Sequence, residues 1–187
     1  MRPRSRLPPW PVTAPEEDGI RLRPFRDGDW PAVVDLSSDP YVAAISTLPS
    51  AADEDAAREW IRRQHRRWTD GAGFSFAVAD TTTDRAAGQI GLWLDRWGVG
   101  VGTVGYLVAP HARRRGVATR ALRAVTAFAA TLPGLDRLEL FVEPGDTTSV
   151  RTAERAGYRR VDVVAHPRRT GGGTVDMVRF TRRPPGA

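Results

Sequence analysis

Cysteine is absent from this 187-residue chain. That excludes disulfides, thiolate zinc centres and a cysteine nucleophile. Histidine is scarce, and the three copies, His65, His111 and His166, are far apart in sequence. A histidine-rich metal centre is not expected, and no metal is assigned. Lysine is missing too, so all 28 basic residues are arginine. GC-rich coding accounts for such a bias. No run approaches the ~20 apolar residues of a membrane helix. The segment Met1 to Gly19 carries Arg2, Arg4 and Arg6, then Pro8, Pro9, Pro11 and Pro15. It lacks the roughly 7–15-residue apolar core of a signal peptide. It reads as a flexible N-terminal arm over residues 1–19, and the chain as cytoplasmic with no membrane partner.

What is present is ordinary globular composition, 41% hydrophobic and 27% charged. At roughly 150 residues per domain the length predicts a single domain over residues 20–187. The net charge of +6 favours anionic partners. Nucleic acid, a membrane face and a polyphosphate cofactor all carry such charge. No strand interleaves basic and aromatic residues as RNA platforms do, so nucleic acid is not expected.

Hydrophobic periodicity orders the chain. Ile20–Pro24 alternates like a short strand, and Asp27–Leu36 reads as a helix with Asp27 as a possible cap. Pro40–Ser50 reads as irregular. Asp53–Trp68 is a second helix, acidic first and arginine-rich last, with Ala57, Trp60, Ile61, Gln64 and Trp68 inward. Phe74–Ala79, Ala87–Trp97 (broken by Gly91) and Thr103–Ala109 predict an antiparallel meander. A helix over Arg115–Ala130, a strand over Arg137–Val142 and a helix over Thr147–Ala156 follow. Strands over Tyr158–Val164 and Thr174–Thr181, joined by a Gly-rich loop at Arg168–Gly173, close the chain. The plan is α+β, with a mixed, mostly antiparallel central sheet flanked by helices. The third meander strand, the long helix and the next strand form a β-α-β crossover, which makes those strands parallel neighbours.

The most informative stretch runs from Val108 through Arg113, Arg114, Arg115 and Gly116 to Val117, Ala118 and Thr119. An apolar strand ends in a basic turn, and the turn opens a helix. About four backbone N–H groups at a helix start lack internal partners, and they sit at the positive end of the helix dipole. Gly116 permits a sharp bend and removes a Cβ from the path of a bulky anion. Such a turn suits a diphosphate. A plain helix start with a solvated arginine run fits the same residues. The spacing matches neither the Walker pattern nor the dinucleotide fingerprint.

Arg113-x-x-Gly116-x-Ala118 resembles the cofactor signature of the GNAT acyltransferases. A Gly105-Tyr106-Leu107-Val108 strand precedes it, and Val142-Glu143-Pro144-Gly145-Asp146 lies one strand later. Glu154-Arg155-Ala156-Gly157-Tyr158 is similar to the family's Glu-x-x-Gly-aromatic motif. Ile20-Arg21-Leu22-Arg23-Pro24, Asp29 and Val175-Asp176-Met177-Val178 resemble the branch holding ribosomal-protein N-terminal acetyltransferases. The resemblance spans residues 20–182. It implies acetyl-CoA as acyl donor, an amine acceptor (protein N-terminus or small molecule) and a monomer or homodimer. It also implies a splayed β-α-β cleft, with backbone amides of residues 113–119 around the pyrophosphate. Backbone groups of Tyr106, Leu107 and Val108 would pair with the pantetheine arm. Asp146 and Ser149 would approach the pantetheine and its sulfur, though the family usually has Asn where Asp146 stands.

In such a reaction the amine attacks the thioester directly. Ser149 is the candidate donor to the departing thiolate, and it equally suits a helix start. No tyrosine occurs on the last helix, where many relatives use one. A free α-amine of pKa near 7.8 is already about a tenth neutral at pH 7, so a modest base suffices. Asp95, Glu139 and Glu143 are the candidates, Glu143 foremost, and each also reads as a paired surface group. Tyr41, Trp93 and Trp97 are expected to line the acceptor pocket, and Tyr158 to sit in the core. A non-catalytic acyl-CoA sensor would keep the same cradle.

Overall fold

The computed structural model describes residues 7–167 and 174–186. The expected Arg168–Gly173 loop and residues 1–6 lie outside them. Strands β1 (Glu16–Glu17) and β2 (Ile20–Arg23) open the fold, followed by α1 (Trp30–Ser37), α2 (Pro40–Ile45) and α3 (Glu54–Thr69). The meander is β3 (Gly73–Asp80), β4 (Ala86–Trp93) and β5 (Val101–Val108). Then come α4 (Val117–Ala129), β6 (Arg137–Val142), α5 (Thr147–Arg155), β7 (Arg159–Pro167) and β8 (Thr174–Arg182). They form an eight-stranded sheet in the order β1-β2-β3-β4-β5-β6-β8-β7, with β5 and β6 the parallel pair. This is the expected mixed, mostly antiparallel α+β plan.

Helices cover both faces. One core cluster joins Phe74, Phe76, Ile90 and Leu92 to Leu122, Val125 and Phe128 of α4 and Ala153 of α5. The other joins Val33, Leu36, Trp60 and Ile61 of α1 and α3 to Ala77 and Leu107. Burying one such side chain contributes roughly 1.5–3 kcal/mol. Tyr158 is buried as expected, and its hydroxyl meets Thr126 Oγ1 at 2.9 Å. Burial pushes its phenol up to about 12.

Four expectations need correction. The arm is docked from Leu7 onward. Trp10 sets its ring edge-on to Phe74 and Phe76 at 5.4 and 4.9 Å, Trp68 Nε1 donates to Pro8 O, and β1 pairs with β2. Each aromatic pair is worth about 0.5–1.5 kcal/mol beyond its area, enough to hold a proline-rich segment down. Residues Pro40–Ile45 are helical, because Asp39 accepts from the Tyr41 N–H and proline suits the first turn. Asp27 lies in a 3-10 turn, and Asp29, which precedes α1, gives its carboxylate to Arg23 and to the Arg26 N–H. Gly91 does not break β4. It pairs with Gly105, and the Trp93 indole lies across both glycines, where a Cβ at Gly91 would sit 2.6 Å from the ring.

Candidate acetyl-CoA and acceptor site

The site begins where β5 and β6 part. They pair only over Val101–Val104 and Arg137–Leu140. Beyond that, β5 runs on with β4, and β6 runs on with β8. Backbone direction decides what lies in the gap. Ala109 N–H donates back to Ala87 O, whereas Gly100 O accepts from Arg137 N–H at the start of β6. Backbone groups alternate sides along a strand, so odd positions of β5 serve β4 and even positions face β6. Where β6 has left, Tyr106 and Val108 present their backbone groups to the cleft. The Leu107 groups are committed to β4, and its side chain is buried among α1 and α3. The expected Leu107 backbone contact is therefore corrected. The Val108 carbonyl also accepts from Arg113 Nε at 3.1 Å, so its amide is the part left open.

The basic turn follows directly. Arg114 and Gly116 both have left-handed backbone, at φ 60 and 71°. Gly116 is the N-cap residue of α4. Arg120 draws the turn's carbonyls inward, donating to Arg115 O at 2.7 Å and reaching Gly116 O. With the carbonyls held behind, the amides face outward. Among the described residues the N–H groups of Arg114, Arg115, Gly116, Val117, Ala118 and Thr119 donate to nothing. Successive amides around a left-handed bend form a concave, positively polarised surface. Arg113 is the exception. Its amide donates to Pro110 O at 3.3 Å, and its guanidinium binds Asp39 at 2.6 Å. That pairing holds the Asp39 carboxyl below its ordinary range. Arg113 therefore fastens the turn to α2, and the exposed Arg114 and Arg115 supply the unpaired charge.

Below the splay lies a cleft of about 550 Å³. Its lining includes Tyr41, Trp93, Tyr106, Glu143, Asp146 and Ser149, together with Asp95. Trp97 is not among them. It turns away to donate from Nε1 to Pro133 O. Glu139 is no free base either. Its side chain is 1% exposed and lies beside Arg96 at 2.7 Å, Arg137 at 3.2 Å and Arg179 at 3.5 Å. Three guanidinium groups there pair with it and close it off from the cleft.

Asp146 is the N-cap of α5, accepting from Ser149 N–H at 2.9 Å. One carboxylate oxygen is thus already used in starting the helix. The Ser149 amide serves the helix start through Asp146, and the residue also lines the cleft. The Tyr41 phenol is pushed up to about 12, first by burial and then by the carboxylates of Glu143 and Asp146. The cleft is therefore locally anionic at this end. Sequence reasoning missed the floor beneath. There Gln89 Nε2 donates to Ser75 Oγ, and Ser75 Oγ donates to Gln64 Oε1, both at 3.0 Å. It also missed Val175 and Met177 of β8, which reach the cleft. Their signal was weak, because Ser75 and Gln89 read as polar exceptions in buried strands, Gln64 as part of a helix stripe, and Val175 and Met177 as ordinary strand residues.

A model of the GNAT acetyltransferase domain matches residues 20–159. The chain belongs to the GNAT acetyltransferase family. It is similar to an uncharacterised N-acetyltransferase, p20, of Bacillus licheniformis, 22% identical over 87% of this chain and 91% of that one. Among solved structures it resembles a GNAT acetyltransferase of Bacillus anthracis, with TM-score 0.76 and 21% identity over 92% of this chain and 99% of that one. A ribosomal alpha-N-protein acetyltransferase solved with coenzyme A has TM-score 0.75 and 14% identity, over 91% and 97% of the two chains. Ribosomal-protein acetyltransferases thus share this GNAT fold. The GNAT assignment makes this chain an acetyl-CoA-dependent N-acetyltransferase. Among the described residues no cluster could hold a metal ion, and no helix is long and apolar enough to cross a membrane.

Proposed function

We propose that the chain transfers the acetyl group of acetyl-CoA to a primary amine by direct attack in a ternary complex. The observation that carries this reading is the splay of β5 from β6, with outward amides at one end and carboxylates at the other. The amides of residues 114–119, with Arg114 and Arg115, hold the pyrophosphate. Pantetheine lies along β5, bonded to backbone groups of Tyr106 and the Val108 amide. One of these amides serves the developing oxyanion. Asp146 and Ser149 flank the sulfur end.

The acceptor enters from the cleft. Among the described residues Asp95, Glu143 and Asp146 line it against one arginine, Arg67, which lies 5.5 Å over the Trp93 ring. That balance draws a cationic ammonium. Glu143 accepts its surplus proton, a task worth little more than about 1.4 kcal/mol for an α-amine and over three times that for a lysine amine. A single modest base therefore suits an α-amine better than a lysine amine, whether the α-amine belongs to a protein N-terminus or a small molecule. The chain acts as a monomer or homodimer in the cytoplasm.

Free-thiol release from acetyl-CoA with a panel of amines tests the reading. Turnover is expected with at least one α-amine. Binding of acetyl-CoA with no turnover by any amine would instead make the chain an acyl-CoA sensor. Within this reading Ser149→Ala should lower kcat about tenfold, the worth of one strong hydrogen bond, with acetyl-CoA affinity nearly unchanged. Wild-type kcat in that variant removes Ser149 from the reaction.

A further inference from the structure

Nearly every polar tip in the interior is satisfied. Thr126 meets Tyr158, Gln64 meets Ser75, and Glu139 sits among three arginines. Among the described residues two buried side-chain atoms have no hydrogen-bond partner, Trp60 Nε1 and the Tyr106 hydroxyl. A buried orphan costs roughly 1–3 kcal/mol. At position 106 phenylalanine would pack equally well without that cost. The Tyr106 hydroxyl lies within interaction range of two α5 hydroxyls without meeting hydrogen-bond geometry to either, so a small rotation decides which of them it bonds.

Its surroundings say which. The Tyr106 ring packs against the core on the α4–α5 side of the sheet. The Ser149 and Thr152 hydroxyls of α5 lie beside its own. Ser149 has its amide fixed by Asp146, so its Cα cannot drift, and it lines the cleft. A serine hydroxyl has one proton and two lone pairs. Once a neighbour donates into a lone pair, the proton must point elsewhere, and for Ser149 the open side is the cleft.

We infer that Tyr106 is a positioning residue: with cofactor bound, its hydroxyl donates to Ser149 Oγ and so aims the Ser149 proton at the departing sulfur. This rests on the acetyl-transfer reading and adds a residue to it. In the step, the amine nitrogen bonds to the acetyl carbon as the carbon–sulfur bond breaks. The bonding pair goes to sulfur. The ammonium's extra proton has already passed through Glu143 to water, and Glu143 then takes the proton that the nitrogen sheds as the amide forms. The thiolate leaves as an anion held by the Ser149 hydrogen bond and is protonated from water. Tyr106 keeps its proton throughout. Burial pushes its phenol above the ordinary value, which preserves the donor form.

The test is a double-mutant cycle on free-thiol release, with thermal melts alongside. Tyr106→Phe should lower kcat about tenfold, leave the KM for acetyl-CoA nearly unchanged and leave the melting temperature equal or higher. The double variant Y106F/S149A should be no slower than S149A, because both changes remove one pathway. Thr152→Val should keep wild-type kcat. Wild-type kcat in Y106F, or losses that multiply in the double variant, overturns the inference. If the wild type acetylates no amine, the transfer reading fails by itself, and Tyr106 is read on bound coenzyme A. Ultraviolet titration should then find the bound thiol less acidic in Y106F than in wild type. Asp146, Glu143 and Tyr41 face the same space in both proteins, so identical titrations overturn the inference.

Discussion

Gly116→Trp should weaken acetyl-CoA binding at least about 100-fold, or roughly 2.8 kcal/mol, by calorimetric titration. The protein itself has room for the change. A Cβ at Gly116 would find its nearest neighbour, Arg120 Nε, 4.0 Å away. The indole would therefore project outward across the amides of residues 114–119. The internal cost is the left-handed backbone at φ 71°, about 1–2 kcal/mol for a residue with a Cβ. A chain of this size should lose only a few degrees of melting temperature for it. Gly116→Ala separates the two effects, since it carries the same strain with almost no bulk. Alanine should keep most of the affinity and tryptophan almost none. Equal affinities in wild type and Gly116→Trp would remove the turn from the cofactor site.

The largest effect on stability is expected at Arg23. Its guanidinium lies 2.7 and 2.9 Å from the two Asp29 oxygens, with side chains only 5% and 8% exposed. It also reaches Asp84 and two backbone carbonyls. Arg23→Met keeps the length but strands a buried carboxylate, a change that typically costs about 3–5 kcal/mol. The melting temperature should fall by roughly 10 °C or more. Asp29→Asn should cost less. Arg23 would still hold Asp84, and an amide oxygen can still accept from it. Combining R23M with D29L should recover part of the loss, because no charge then remains buried and unpaired. If Asp29→Asn proves the more damaging, the pair is not the anchor that joins β2 to the start of α1. Chemical denaturation of the three variants orders them.

Much of this was legible in the residues. Apolar periodicity marked the helices and strands, and proline and glycine marked their ends. The order of elements made the strands before and after the long helix parallel, because a crossover helix leaves no other return. The turn from Arg113 to Thr119 announced a helix start with exposed amides, since unpaired amides follow from helix geometry alone. These features are local, set by a residue and its near neighbours in sequence.

Distance along the chain hid the rest. Nothing local says that β5 and β6 stop pairing after Val104, because strand separation depends on what packs above and below both. Glu139 reads as one half-exposed acid until Arg96 and Arg179, from remote segments, arrive around it. The proline-rich arm reads as loose until Phe74 and Phe76 offer Trp10 a place to bury. Arg113 reads as cofactor charge until Asp39 claims it. The sequence by itself determined which elements form and where unpaired helix-start amides collect, because hydrogen bonding and periodicity act over a few residues. Only the tertiary structure decided which carboxylates stay free, which amides face the cleft and which hydroxyl lies beside Ser149. Those outcomes are set by contacts between segments dozens of residues apart.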